Sequence, residues 1–282
     1  MEMANPNREF KDSVFTKLFG TPEKALELYN AINGSNYSDN TKVKMVTLSD
    51  VLYGEQLNDV AFVIENKLVV LIEHQSTINR NMPLRMLLYI GREYEMLTDS
   101  RAIYREGKMC IPAPEFVVLY NGEKDMEDFV EMRLSDLFEF DAEGSHNVPS
   151  LELLVKAYNI NKGRNVEIAA RSSSLSDYEE FIAEARSNLR VMNLRDSIRA
   201  AIRSCISRNI FVDFLTRHGS EVENMLLHEW NMKEALEVRY DEGVAIGRDE
   251  GIAIGEAKVT KIFDLLEKGM SLTEIKKSIR GT

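Results

Sequence analysis

The succession of apolar and polar positions predicts two kinds of architecture along the chain. Up to about residue 134, short helical and strand signals alternate, as in a mixed α/β domain. Lys11 to Phe19 puts Val14, Phe15, Leu18 and Phe19 on one helical face, and Pro22 opens a second short helix reaching about Ile32. Val43 to Leu48 alternates and predicts a strand. Asp59–Ile64 and Leu68–Gln75 are apolar, β-branched runs around a polar turn at Asn66-Lys67, which predicts a hairpin. Pro83 begins a helix with Leu84, Leu87, Leu88 and Gly91 at i, i+3, i+4 and i+7. Phe116 to Tyr120 predicts a buried strand ended by the turn pair Asn121-Gly122, and Leu151 to Tyr158 predicts one more.

From about residue 176 the pattern becomes helical. Ser176 and Glu179 have capping-box spacing. Ile198, Ile202, Cys205, Ile206, Ile210 and Phe214 form one unbroken apolar stripe, and a further helix spans about Val222 to Leu236. An eight-residue repeat follows, Glu242-Gly-Val-Ala-Ile-Gly-Arg-Asp249 and then Glu250-Gly-Ile-Ala-Ile-Gly-Glu-Ala257. Its glycines at 243, 247, 251 and 255 make one helical row that lets another helix approach, yet each weakens a helix by about 1 kcal/mol relative to alanine. A helix docked on a second copy of the chain and a flexible linker both fit the repeat. Gly269 stops the next helical stretch, and Ser271 with Glu274 makes another capping box. The expected division is an α/β domain over 1–170, a helical domain over 171–238 and a tail over 239–282.

Composition narrows the setting. No run of about eighteen apolar residues exists to span a membrane, and the polar stretch Met1 to Asp12 is no secretory leader. Cys110 and Cys205 lie far apart, which suits a reducing cytoplasm. The net charge of −11 sits badly with nucleic-acid binding, but the charge is segregated. Residues 186–217 carry seven arginines against two aspartates, whereas 221–257 carry ten acids against three bases.

The hairpin holds the candidate chemistry. Metal-assisted phosphodiester hydrolysis needs carboxylates that converge and a group that positions water. On the second strand Glu73 and Gln75 share a face. With a three-residue loop, Ile64 pairs with Leu68 and Asp59 falls opposite Glu73, so two carboxylates and an amide converge. Such an oxygen set suits magnesium. On pattern alone the same residues also fit a strand end dipping into solvent. Arg85, Tyr89 and Arg92 share a stripe on the following helix, which by spacing alone fits an ordinary solvated face. Arg195, Arg199 and Arg203 recur at i, i+4 and i+8, as a DNA track, a solvated face or an interface with the acidic 221–257 segment.

Taken together, several stretches resemble the PD-(D/E)XK nuclease superfamily, and within it the bacterial Rpn family of recombination-promoting nucleases and putative transposases. They are Phe10-Lys-Asp-Ser-Val-Phe-Thr-Lys-Leu-Phe19, Leu57-Asn-Asp-Val-Ala-Phe62, Leu71-Ile-Glu-His-Gln-Ser76, Pro83-Leu-Arg-Met-Leu-Leu-Tyr-Ile90, Leu119-Tyr-Asn-Gly122 and the glycine-rich tail. The resemblance implies a restriction-endonuclease-like α/β core with a mixed sheet, followed by helices, and Mg2+- or Mn2+-dependent DNA cleavage linked to recombination or mobile elements. It makes Asp59 and Glu73 the motif carboxylates, adds Asp12 to the metal shell, and puts Gln75 where the superfamily commonly has Lys. It places the phosphate contacts at Arg85, Tyr89 and Arg92. Asn58 replaces the motif Pro, and Gln75 cannot carry charge or act as a general base. A nuclease-fold module that binds DNA or protein without cutting is the alternative.

Overall fold

A computed structural model of the chain describes residues 13–38, 40–46, 59–74, 79–99, 101–139 and 149–271. Asp12, Asn58 and Gln75 lie outside these, as does Glu274 of the last expected capping box. Asp59 and Glu73 are described as strand positions.

The element order is α1 (Val14–Phe19), α2 (Pro22–Asn33), β1 (Val43–Val46), β2 (Asp59–Ile64), β3 (Lys67–His74), α3 (Met82–Leu97), β4 (Ala113–Tyr120), β5 (Phe129–Arg133), β6 (Leu154–Asn159), α4 (Val166–Arg171), α5 (Ser173–Leu189), α6 (Leu194–Ser207) and α7 (Val212–Glu267). The six strands form one mixed sheet in the order β1-β2-β3-β4-β6-β5. β1, β2 and β3 run antiparallel, β3, β4 and β6 run parallel, and β5 closes the far edge antiparallel to β6. The chain separates into two units, Met1–Leu227 and His228–Thr282, so the boundary expected at residue 170 lies inside the first unit.

The pleat explains the two cores. Leu68 and Val70 of β3, Phe116, Val118 and Tyr120 of β4 and Val155 and Ala157 of β6 share one face, where Met82, Met86, Tyr89 and Ile90 of α3 cover them. On the other face the Tyr29 ring of α2 meets the Phe62 ring edge-on at 6.0 Å, and Phe15 of α1 packs against Tyr178 of α5 at 6.2 Å. α1 has six residues, too few to hold a helix in water. Its Ser13–Thr16 capping box and the full burial of Phe15 and Phe19 keep it folded. α2 is bounded as its sequence suggests, by Pro22 in the first turn and by Gly34 in the left-handed conformation after Asn33.

Several expectations need correction. The buried face of α3 is Met82, Pro83, Met86, Tyr89, Ile90 and Glu93, not the Leu84–Leu87–Leu88–Gly91 stripe, of which Leu87 packs partly against the core while the rest is exposed, Leu88 at 60%. Both stripes have helical spacing, and the sheet selected the one carrying the bulkier residues. The cap of α5 is Ser172, whose hydroxyl accepts from the Leu175 N–H, so Ser176 and Glu179 lie within the helix. The apolar stripe from Ile198 to Phe214 is broken between α6 and α7, where Asn209 and Phe211 have φ of 60° and 55°. Asp177 accepts the Phe211 N–H there, and the Phe211 ring stacks on Phe214 at 4.5 Å. Strand β5 is not predicted by the pattern of apolar positions. The 242–257 repeat is helical, as part of α7.

Candidate active site

The β2–β3 hairpin turns in two residues, Glu65 and Asn66, with Glu65 at φ 51°, the positive value that a tight two-residue hairpin turn requires. Ile64 therefore pairs with Lys67, and every partner moves by one residue from the expected ladder. Asp59 lies opposite Ile72, next to Glu73 along the chain rather than across from it. By this register, strand position 59 falls with 61, 70 and 72 on the α3 face, and position 73 falls with 62 and 69 on the α1–α2 face. Direct pairing thus does not bring the two positions together, which corrects the opposition expected from a three-residue loop. They remain one register step apart at the same end of one ladder. The donor set is all oxygen, which fits magnesium. Among the described residues, no group of three or more His, Cys, Asp or Glu is placed to hold a metal ion.

Beyond position 73 the parallel strands end in a polar cluster. Glu73 pairs with Leu119 and His74 with Tyr120, and β4 ends there, followed by Asn121. The Asn161 amide donates to Gly122 O and to Asn159 Oδ1, each at 2.9 Å, while Asn159 donates to Met126 O at 2.9 Å. From α5, Arg186 donates through Nη1 to Asn121 Oδ1 at 3.0 Å and to Asn161 Oδ1 at 3.1 Å, and through Nη2 to Asn121 O. Arg164 is spent on Asp125 and Asp128, each at 3.1 Å. Sequence reasoning missed the pairing of Asn121 with Arg186. Asn121 read as a turn residue and Arg186 as one of seven arginines in a basic stretch, and nothing local links positions 65 residues apart.

The other candidates divide. Arg92 is exposed and Arg85 half-buried, with Nη1 against the Met82 sulfur at 3.4 Å. Tyr89 is 1% exposed and belongs to the core, so it departs from the surface stripe expected of it. Arg195 and Arg199 both bond Glu223, at 2.6 and 2.9 Å, which among the three readings fits an interface with the acidic segment, while Arg203 is exposed. Two buried carboxyls were also hidden from the pattern. Glu93 is fully buried with both oxygens unpartnered, and burial raises its pKa. Glu179 of α5 is pushed up by burial to about 8.

No helix among the described residues is long and apolar enough to cross a membrane. Comparison with curated proteins and with solved structures finds no match. A family model described as "Putative transposase, YhgA-like" matches residues 11–172, which span β1 through β6 together with α1 to α4. The chain belongs to that family of transposase-like proteins, which corresponds to the Rpn family.

Proposed function

We propose that the protein is a magnesium-dependent DNA endonuclease of the PD-(D/E)XK type, acting in recombination or on mobile elements. One observation supports this above the others: in a transposase-family chain, Asp59 and Glu73 stand one register step apart at one end of a single hairpin. Asp59 and Glu73, with Asp12, would hold Mg2+ or Mn2+. Bound there, the ion supplies Lewis-acid polarisation of the phosphodiester and a more acidic water. Gln75 has a carboxamide in place of a cation, and it orients water by accepting through its oxygen and donating through its nitrogen. Arg85 and Arg92, seven residues apart on α3, supply phosphate contacts without Tyr89. The test is magnesium-dependent nicking of a supercoiled plasmid by full-length protein, with Asp59→Ala and Glu73→Ala as controls. Both variants should fold and lose cleavage, and full nicking by folded Asp59→Ala overturns the assignment.

Gln75 and the net charge of −11 favour a second reading, a nuclease-fold module that binds DNA without cutting it. It predicts DNA binding with no nicking at any magnesium concentration.

The tail would add self-association. On α7, Gly247, Gly251 and Gly255 have open space where a Cβ would stand, and Val244, Ile252 and Ile254 are exposed. A second copy docked along this row would bring two active sites together for double-strand cleavage. Gly247→Leu with Gly251→Leu should then lower the mass in solution from dimer to monomer. An unchanged mass, or a monomeric wild type, returns the segment to a spacer role.

A further inference from the structure

The guanidinium of Arg186 is held by polar groups but not neutralised by them. Its described partners are the Asn121 and Asn161 amide oxygens and the Asn121 carbonyl, and among the described residues it has no ion pair. The arginines of α6 and the turn after it that are held by side-chain bonds are treated differently. Arg195 and Arg199 meet Glu223, and Arg208 meets Glu180 and Glu184. A half-buried cation without a counter-charge is costly, and neutral acceptors offset part of that cost without removing the charge. Arg186 lies in the last turn of α5, whose C-terminus offers about half a negative charge at most. A net positive charge therefore remains.

The geometry also leaves donors over. A guanidinium has five N–H groups, and the three bonds use those of Nη1 and one of Nη2, leaving Nε and the second Nη2 hydrogen. The Asn121 Nδ2, on a residue 2% exposed, also has no partner. An amide nitrogen buried this way normally costs about 1–3 kcal/mol unless something accepts from it. A buried donor without an acceptor and a fixed cation without an anion, on adjoining side chains, are both satisfied by one kind of group, a phosphate oxygen. The place is right for it as well. Asn121 follows the end of β4, two residues beyond Leu119, the partner of Glu73, and lies at the carboxyl ends of three parallel strands.

We propose that Arg186 and Asn121 form a phosphate-binding subsite that holds a DNA backbone phosphate beside the Asp59–Glu73 centre. This deepens the nuclease reading and rests on it for the identity of the ligand as DNA. In the bound state Arg186 makes a fork to the phosphate, Asn121 Nδ2 donates to the same group, and Asn161 keeps the guanidinium plane fixed.

The competing account is a lock, with Arg186 merely pinning α5 to the strand ends, and Asn121→Asp separates the two. Aspartate keeps an acceptor for Arg186 and adds a negative charge, so the lock is retained or strengthened while the cation is neutralised. Full-length wild type, Arg186→Gln and Asn121→Asp are titrated against a fluorescent DNA duplex in EDTA at several salt concentrations, with melting temperatures measured alongside. The subsite predicts that both variants bind about tenfold more weakly, that the log–log salt slope falls by about one, and that Asn121→Asp melts no lower than wild type. If wild type binds and both folded variants match it in affinity and slope, the subsite is overturned and the nuclease reading stands. If Arg186→Gln does not fold, Asn121→Asp decides alone. If the variants lose binding but wild type never nicks DNA when magnesium is added, the subsite stands and the catalytic reading falls. A wild type that does not bind DNA overturns both.

Discussion

The two ends of the β3–β4 pair solve the same problem in opposite ways. Where the strands begin, Lys67 bonds Glu115 at 2.8 Å and the Tyr29 hydroxyl at 3.0 Å, and that hydroxyl donates to Glu115 at 2.9 Å. Glu115, then Tyr29, pushes the Lys67 pKa up, and the triangle closes on itself with one positive and one negative charge. Where the strands end, Arg186 has three neutral acceptors and Asn121 has a spare donor. A charge-balanced network stabilises the folded chain and leaves no net charge for an anion to meet. An open one is less stable by itself and becomes satisfied when an anion arrives. The contrast fits the proposal that the carboxyl end is the functional one and the amino end structural.

The largest effect that could break this contrast is at the carboxyl end itself. Asp59→Ala and Glu73→Ala should take plasmid nicking to background while melting stays close to wild type, since each removes a proposed ligand. If nicking persists in both, the carboxyl end is not where the chemistry occurs, and the open charge at Arg186 has another use.

A second effect tests whether the Arg186 charge is really free. Glu179 precedes it by seven residues, about two turns away on the same side of α5, and is a buried carboxyl to test as a counter-ion. Its raised pKa is caused by burial, with no relief from Arg186. The carboxyl ionises near 4.5 in the unfolded chain and near 8 in the folded one. Between those values the folded state holds a proton that the unfolded state has released, so stability falls as pH rises from about 4.5 to about 8. Glu179→Gln should therefore change stability little at pH 4.5 and raise it above pH 8, by an amount on the order of a few kcal/mol, with the melting temperature rising accordingly. If the substitution instead leaves stability unchanged or lowers it at high pH, Glu179 is ionised in the folded chain and Arg186 compensates it.

The contrast also explains what could be read from the chain beforehand. Elements whose signal is local were legible: Pro22 at the start of α2, the apolar hairpin strands, and the apolar run of β4 before Asn121-Gly122. What failed depended on partners. Two stripes on α3 had helical spacing, and only the sheet decides which is buried, so Tyr89 was expected on a surface stripe. The hairpin register turned on one residue of loop, and Glu65 adopting a positive φ moved Asp59 from Glu73 to Ile72. Strand β5 is five residues with polar Glu131 and Arg133 alternating, a pattern legible only once β6 offers an edge. Of the candidate site, the hairpin and its two carboxylate positions were legible, while the Asn121–Arg186 pair was not, because it joins a turn to a helix distant in sequence. The closed triangle of Lys67, Glu115 and Tyr29 was hidden for the same reason.

The smallest effect is at that triangle, and its smallness is the point. The Lys67 side chain is 39% exposed and that of Glu115 31%, so solvent screens much of their attraction. Exposed pairs of this kind contribute up to about 1 kcal/mol, and the Tyr29 hydroxyl keeps its bond to Glu115 when lysine is removed. Lys67→Met preserves the apolar stem beside the Tyr29 ring, which the Lys67 Nζ overlies at 5.7 Å from the centroid. The expected loss is therefore about 1 kcal/mol or less in denaturant unfolding. DNA affinity, the salt slope and nicking should all stay at wild-type values, even though a positive charge has been deleted from a chain of net charge −11. Arg186→Gln deletes one charge as well, and the two variants are equal in net charge. If Lys67→Met weakens DNA binding as much as Arg186→Gln does, binding follows net charge alone, and the distinction between an open and a closed end of the sheet disappears. If only Arg186→Gln weakens it, position and pairing determine what each cation does.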